Sequence, residues 1–196
     1  AHPLPPLLNV LEDTGASTLI VHEDYYELLE PTAKELGVRL INFWDLDGRP
    51  NGAPLPSIAP ARRAQILYTS GTTSLPKGVV TTHGNIEFQI NTLVDAWEWG
   101  ADDHILNVLP LHPVHGIVNV LSCALWSGAC CEFLPVFKAA TVWEKLAGGE
   151  LTRFMAVPTI YYKLISHWEK MSEQDQARLS AGTGKLNLMI SGSAAL

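Results

Sequence analysis

A short polar segment holds the residues with the clearest chemical potential. It reads Tyr-Thr-Ser-Gly-Thr-Thr-Ser-Leu-Pro-Lys-Gly from Tyr68 to Gly78 and lies between two apolar runs. Gly71 and Gly78 would let the backbone approach a ligand closely, and successive backbone N–H groups in a tight turn form an anion-binding concavity. The hydroxyl groups and the ammonium group of Lys77 add further donors. The segment therefore predicts a phosphate-binding loop, with a polar surface loop as the alternative.

The segment differs from the other common phosphate-binding loop. A Walker loop requires Gly-Lys-Ser/Thr, whereas Lys77 is followed by Gly78.

A pair of histidines three residues apart follows farther along the chain. His112 and His115 lie in Leu-Pro-Leu-His-Pro-Val-His-Gly, from Leu109 to Gly116. Zinc sites need three or four ligands, and no third ligand is near in the sequence. We expect a polar pair that lines a pocket, with His115 as the better candidate. A metal pair and two structural histidines are the alternatives.

The polar segment also resembles a known family signature. The adenylate-forming superfamily, which comprises acyl-CoA synthetases, luciferases and adenylation domains, usually has Tyr-Thr-Ser-Gly-Thr-Thr-Gly-x-Pro-Lys-Gly. Ten of the eleven positions agree when x is free, and Ser74 replaces Gly. Segments starting at Leu109, Ala156 and Ser191 follow in the family's order. Together they resemble the malonyl-CoA synthetases most, including the mitochondrial acyl-CoA synthetase family member 3 type.

The resemblance implies an ATP-dependent acyl-CoA synthetase. A carboxylic acid would react with ATP to give an acyl-adenylate and pyrophosphate, and coenzyme A would then form the thioester. ATP, Mg²⁺ and coenzyme A are the implied cofactors and co-substrates, and malonate or another short carboxylic acid is the implied substrate. Thr73 is the implied contact to Mg²⁺. The implied phosphate-binding residues are Thr69, Ser70, Gly71, Thr72, Thr73, Ser74 and Lys77. The implied adenine- and acyl-binding residues are His115, Ser191, Gly192, Ser193, Ala194 and Ala195.

Three residues depart from the family pattern. Ser74 would cost roughly 1 kcal/mol if its position requires a positive φ. Pro113 replaces a histidine that relatives carry beside the acyl pocket, and Pro removes a backbone donor. Asn187 stands where malonate-using relatives tend to have Arg, and a second carboxylate favours a bidentate Arg partner. We expect Lys185 to lie on the same strand face as Asn187.

Composition excludes several classes of protein. The chain has 196 residues, of which 47% are hydrophobic and 17% charged, with a net charge of −7. Disordered chains have the opposite balance. An acidic chain without a basic stripe is a poor candidate for binding nucleic acid, and no apolar run reaches the roughly 20 residues that span a bilayer. The three cysteines suggest buried, reduced thiols in a reducing compartment, the mitochondrial matrix or the cytoplasm.

Short β-branched runs alternate with helical patterns along the chain, which predicts an α/β fold of mostly parallel sheets flanked by helices. Residues 45–61 are rich in Pro and Gly and predict a linker. It separates a first βα segment, 1–44, from a nucleotide- and acyl-binding part, 62–196. Predicted strands are 18–22, 39–43, 65–68, 104–109, 129–134, 154–157 and 186–190. Predicted helices are 25–36, 85–97, 114–126, 140–146 and 159–170, the last capped by Thr159.

The family's later segments do not follow Leu196. We therefore expect the sequence to be the central part of a large N-terminal domain, with no catalytic residue of its own and no adenylation activity alone. The adenylation Lys is expected in a C-terminal domain. The low charge is then explained by an apolar interior that faces the rest of that domain. Two alternatives are an adenylation module that loads a carrier protein and a non-catalytic protein of the same fold.

Overall fold

The structure is a computed structural model that describes residues 4–46, 48, 52–69 and 76–193. It divides into two compact units, residues 1–57 and 58–196. The division falls inside the segment rich in Pro and Gly.

The first unit is a small βαβ arrangement. Helix α1 (Leu4–Thr14) precedes strand β1 (Thr18–Val21), helix α2 (Glu23–Glu35), strand β2 (Arg39–Asn42) and a 3₁₀ turn (Phe43–Asp45). The two strands pair in parallel, as a helical crossover requires. Among the described residues of this unit, the buried side chains are Leu11, Val21, Leu29 and Ala33.

The second unit begins with an antiparallel hairpin. Strand β3 (Arg63–Thr69) pairs with strand β4 (Lys77–Thr82). Helix α3 (His83–Ala96) starts directly after β4 because Thr82 and Asn85 form a capping box.

The main sheet has four parallel strands. They are β5 (His104–Asn107), β6 (Cys130–Phe133), β7 (Arg153–Ala156) and β8 (Leu188–Ser191), in the spatial order β6-β5-β7-β8. The inner strands β5 and β7 are buried nearly throughout, as expected for a parallel sheet covered on both faces. The connections contain a π-helix (His115–Ser122), α4 (Cys123–Ser127), α5 (Ala139–Ala147), α6 (Pro158–Trp168), α7 (Glu173–Gly182) and a 3₁₀ turn (Thr183–Lys185).

A buried ion pair stabilises the amino edge of this sheet. Arg153 donates to Asp103 at 2.7 Å and to the carbonyl oxygens of Trp97 and Glu98 at 2.6 and 2.7 Å. The guanidinium also lies 4.6 Å from the centre of the Trp99 ring. Burial acts to raise the pKa of Asp103, but hydrogen bonds from Arg153, Gly100 and Thr152 outweigh it and lower that pKa. Together these contacts connect β5 and β7 to the end of α3.

The predicted α/β class with mostly parallel sheets is confirmed, but several local predictions are wrong. Val157, not Thr159, is the N-cap residue of α6, with Pro158 in the first turn. Lys185 ends a 3₁₀ turn and does not share a strand with Asn187. Cys130 is exposed, whereas Cys123 is buried, and all three thiols are free. No helix in the described ranges is long and apolar enough to cross a membrane.

Candidate functional site

The candidate site centres on a contact between His115 and Ser193. Nδ1 of His115 lies 2.9 Å from Oγ of Ser193, and the two can share a hydrogen bond. His115 follows β5 and Ser193 follows β8, and these two strands flank β7. The contact therefore crosses the carboxyl end of β7, the edge at which open α/β sheets bind their ligands.

The surroundings of His115 favour a neutral imidazole. The residue is 6% exposed, and burial lowers its pKa from the usual value near 6.5. A neutral ring has one donor nitrogen and one acceptor nitrogen. If Ser193 donates to Nδ1, the proton lies on Nε2, which can then donate to a ligand oxygen.

Two contacts fix the turn between β5 and the π-helix, one at its start and one at its end. The Asn107 side-chain oxygen accepts from the Leu109 N–H at 2.9 Å. The Gly116 backbone packs so closely against the turn that a Cβ atom there would overlap the carbonyl oxygen of Pro110. Because Gly116 directly follows His115, this packing fixes where the histidine leaves the turn. Asn107 is absent from the sequence-based site, since only the turn geometry reveals its role.

The helix that starts at His115 has π geometry through Ser122 and continues as α4. The Ser122 hydroxyl donates to the carbonyl of Ile117, five residues earlier, at 2.8 Å, and the Cys123 N–H donates to the carbonyl of Val118. Short π-helical segments occur frequently at functional sites. A helix is therefore present where one was predicted over 114–126, and its first part has π geometry.

Thr69 and Lys77 lie at the end of the β3–β4 hairpin that adjoins the connecting residues 70–76, where they pair as the last cross-strand residues. Both are exposed, so the Thr69 hydroxyl and the Lys77 ammonium are accessible to an anion. Ser70, Gly71, Thr72, Thr73 and Ser74, including the predicted Mg²⁺ contact, lie outside the described residues.

The structure gives Gly78 a different role from the predicted approach to a ligand. A Cβ atom at this position would lie 2.9 Å from Cγ2 of Ile66 and 3.2 Å from Cζ of Tyr68. The missing side chain therefore makes room for two side chains of the neighbouring strand.

The remaining predicted residues fall into two groups. Ser191 ends β8 and pairs with Ala156, and the Gly192 N–H donates to the Ala156 carbonyl at 3.2 Å. Ala194 and Ala195 lie outside the described residues. Within the described ranges, no hydrogen bond or ion pair connects the hairpin residues Thr69 and Lys77 to the group formed by His115, Gly192 and Ser193.

The structure changes how two of the departures from the family pattern are interpreted. Asn187 precedes β8, and its N–H donates to the carbonyl of Thr152 at 2.8 Å. It therefore lies at the amino edge of the sheet, opposite the edge that holds His115. A cation at Asn187 would not face the candidate site. The Pro113 carbonyl accepts from the Ile117 N–H at 3.2 Å, a bond of α-helical spacing at the start of the helix.

The described ranges contain no group of three His, Cys, Asp or Glu residues that could hold a metal ion. The His112–His115 spacing therefore gains no third ligand among these residues.

Comparisons with known proteins identify relatives along the whole chain. The sequence model of the family described as "AMP-binding enzyme" matches residues 2–196. The human protein named "Malonate–CoA ligase ACSF3, mitochondrial" is 42% identical over 207 residues, which cover 100% of this chain and 36% of that protein. The chain thus spans about a third of the length of this relative.

Solved structures show the same fold. ATP-bound MatB from Rhodopseudomonas palustris superimposes with a TM-score of 0.84 and 27% identity, covering 99% of this chain and 38% of that one. A malonyl-CoA ligase ternary product complex with methylmalonyl-CoA and AMP bound superimposes with a TM-score of 0.80 and 29% identity. That alignment covers 97% of this chain and 39% of the other.

Proposed function

Because the chain belongs to the AMP-binding enzyme family, we propose that it supplies nucleotide- and acid-binding residues to an ATP-dependent acyl-CoA synthetase. The observation that carries the proposal is the His115–Ser193 contact across the carboxyl end of β7. The pair combines a buried imidazole with an exposed hydroxyl group, at the edge where open α/β sheets bind their ligands.

In the proposed reaction, a carboxylate oxygen attacks the α-phosphorus of ATP and pyrophosphate leaves, which gives an acyl-adenylate. The thiol of coenzyme A then displaces AMP and forms the thioester. Phosphoryl chemistry of this kind depends on positioning and on charge stabilisation. In this proposal, the Lys77 ammonium offsets phosphate charge and the Thr69 hydroxyl donates a hydrogen bond to a phosphate oxygen. Mg²⁺ would neutralise further phosphate charge, and Thr73 remains our proposed contact to it.

His115 is proposed to orient the acid. With the Ser193 hydroxyl donating to Nδ1, Nε2 carries the proton and donates to a carboxylate oxygen. Because His115 is buried, little water competes for its Nε2–H group, which strengthens this hydrogen bond. The depressed pKa keeps the ring neutral near pH 7, so His115 acts as a hydrogen-bond donor without adding charge.

We propose malonate as the substrate. Malonate–CoA ligase is the printed name of the human relative, and methylmalonyl-CoA is bound in one structural neighbour. The absence of Arg at position 187 is compatible with a dicarboxylate substrate, because Asn187 lies at the opposite edge of the sheet from His115. A reducing compartment, the mitochondrial matrix or the cytoplasm, is proposed from the three free thiols and from the word "mitochondrial" in the relative's name.

The proposal is tested by ATP–pyrophosphate exchange with the full-length protein encoded by the gene. Malonate, acetate, propionate and a medium-chain acid are compared at equal concentration. We expect exchange to be fastest with malonate. Equal or faster exchange with the monocarboxylates would contradict malonate as the substrate, and no exchange with any acid would contradict the adenylation reaction and favour the non-catalytic alternative. Exchange without formation of a coenzyme A thioester would favour the module that loads a carrier protein.

A further inference from the structure

Two polar side chains form a hydrogen bond across the otherwise apolar interface between α3 and the π-helix that begins at His115. Nε2 of Gln89 in α3 donates to Oδ1 of Asn119 in the π-helix at 2.7 Å. Both residues are half-buried. The side chains around them belong to one apolar cluster, which includes Ile86, Ile90 and Leu93 of α3 and Ile117, Val118 and Val120 of the π-helix.

A polar pair of this kind fixes the relative position of two helices but adds little to the stability of the fold. The net contribution of a hydrogen bond to stability is only about 0.5–1.5 kcal/mol, and replacing both partners by apolar groups of similar shape can be nearly neutral. A single polar contact within an apolar interface can nevertheless fix the register of two helices. Here the register that is fixed is that of the π-helix against α3.

The register matters because it sets the direction of His115. A π-helical hydrogen bond spans one more residue than an α-helical one, and each residue of an α-helix turns it by roughly 100°. If the segment relaxed to α-helix while Cys123 and Ala124 stayed in the core, the turn that carries His115 would rotate. The ring would then leave the Ser193 hydroxyl.

We propose that the Gln89–Asn119 pair is a positioning device, which holds the π-helix in register and thereby keeps His115 in contact with Ser193. The inference rests on the proposed role of His115 in binding the carboxylate. Neither Gln89 nor Asn119 needs to touch a substrate for the device to work.

The test compares four variants of the full-length protein by the KM values for carboxylate and for ATP. In Gln89→Leu/Asn119→Leu, the polar contact is lost without leaving one partner unpaired. We expect the KM for the carboxylate to rise about fivefold or more, with the KM for ATP within about twofold and the melting temperature nearly unchanged. The exchanged pair Gln89→Asn/Asn119→Gln restores the contact, and we expect its carboxylate KM to stay within about twofold of the parent protein.

Two controls separate failure of this inference from failure of the proposed function. Thr92→Ala removes a hydroxyl of α3 that bonds only to its own helix, to the Phe88 carbonyl, and should change neither KM. His115→Ala should raise the carboxylate KM by about 10- to 100-fold.

An unchanged carboxylate KM in His115→Ala would overturn both the role of His115 and the positioning device. A raised KM in His115→Ala with an unchanged KM in the double Leu variant would overturn the device alone. Equal increases in both KM values of the double Leu variant, or no rescue by the exchanged pair, would also overturn it, because the effect would then be a general distortion.

Discussion

The neutral state of His115 has a consequence for stability that pH can reveal. Burial lowers the pKa of His115 in the folded protein. At pH values between the folded and the unfolded pKa, the unfolded chain therefore binds more protons than the folded protein does. Stability therefore rises with pH in that window. The contribution is fully present above the ordinary pKa near 6.5 and is lost as the pH falls toward the depressed value.

We expect the free energy of unfolding to fall between pH 7.5 and pH 5.5, and to fall less in His115→Gln, whose side chain does not titrate. Urea unfolding at several pH values measures this. The same pH dependence in the variant and the parent protein would show that His115 is not the group responsible.

At the level of single residues, the sequence predicted His115 and Ser193, because both lie in segments that resemble family signatures. It could not predict that the two touch, since they are 78 residues apart and meet only through the strand order. Asn107, Gln89 and Asn119 were missed for a related reason. A polar residue in an apolar stretch has no visible partner until the helices and turns are placed.

The buried ion pair at the amino edge makes a prediction about the elements that it connects. Arg153→Met would leave Asp103 buried without its charged partner, which typically costs about 3–5 kcal/mol. The matched control is Arg178→Met, because Arg178 makes an exposed bidentate pair with Glu144 at 2.8 and 3.0 Å. Such surface pairs contribute little.

Thermal and urea unfolding of both variants compare the two pairs. We expect a large loss of stability for Arg153→Met and almost none for Arg178→Met. Equal losses would show that burial does not determine how much the Arg153–Asp103 pair contributes to the free energy of unfolding.

The tight turn before the π-helix makes a second prediction at this scale. Gly116→Ala places a Cβ atom against the carbonyl oxygen of Pro110, and the backbone beside His115 must move. Gly184→Ala is the control, because nothing lies within 4 Å of a Cβ atom there. Pyrophosphate exchange should fall strongly in Gly116→Ala and stay normal in Gly184→Ala. Normal exchange in both would mean that the turn does not position the site.

Regular elements were predictable where the pattern was simple. The segments predicted as strands 104–109 and 154–157 are mostly apolar, and the segment of α3 has apolar residues at helical spacing. Helix α7, by contrast, is polar along most of its length and buries Leu179, so its periodicity gives almost no signal. The π-helix is also invisible in the sequence, because its apolar residues fit an α-helix equally well.

For the whole molecule, the low charged fraction corresponds to large apolar side chains on the surface. Phe88 is 75% exposed, Leu125 67% and Trp126 55%. Apolar surface of this kind marks interaction sites or causes association. We expect the isolated 196-residue chain to bind a hydrophobic dye and to associate, as measured by dye fluorescence and sedimentation. A monomer that binds no dye would contradict this.

We propose that the full-length protein activates malonate through an adenylate. The most direct measurement is product analysis by mass spectrometry after incubation with ATP, coenzyme A and malonate. We expect malonyl-CoA and AMP in equal amounts, with no ADP. Formation of ADP in place of AMP, or the absence of malonyl-CoA when the protein is folded and binds ATP, would contradict it.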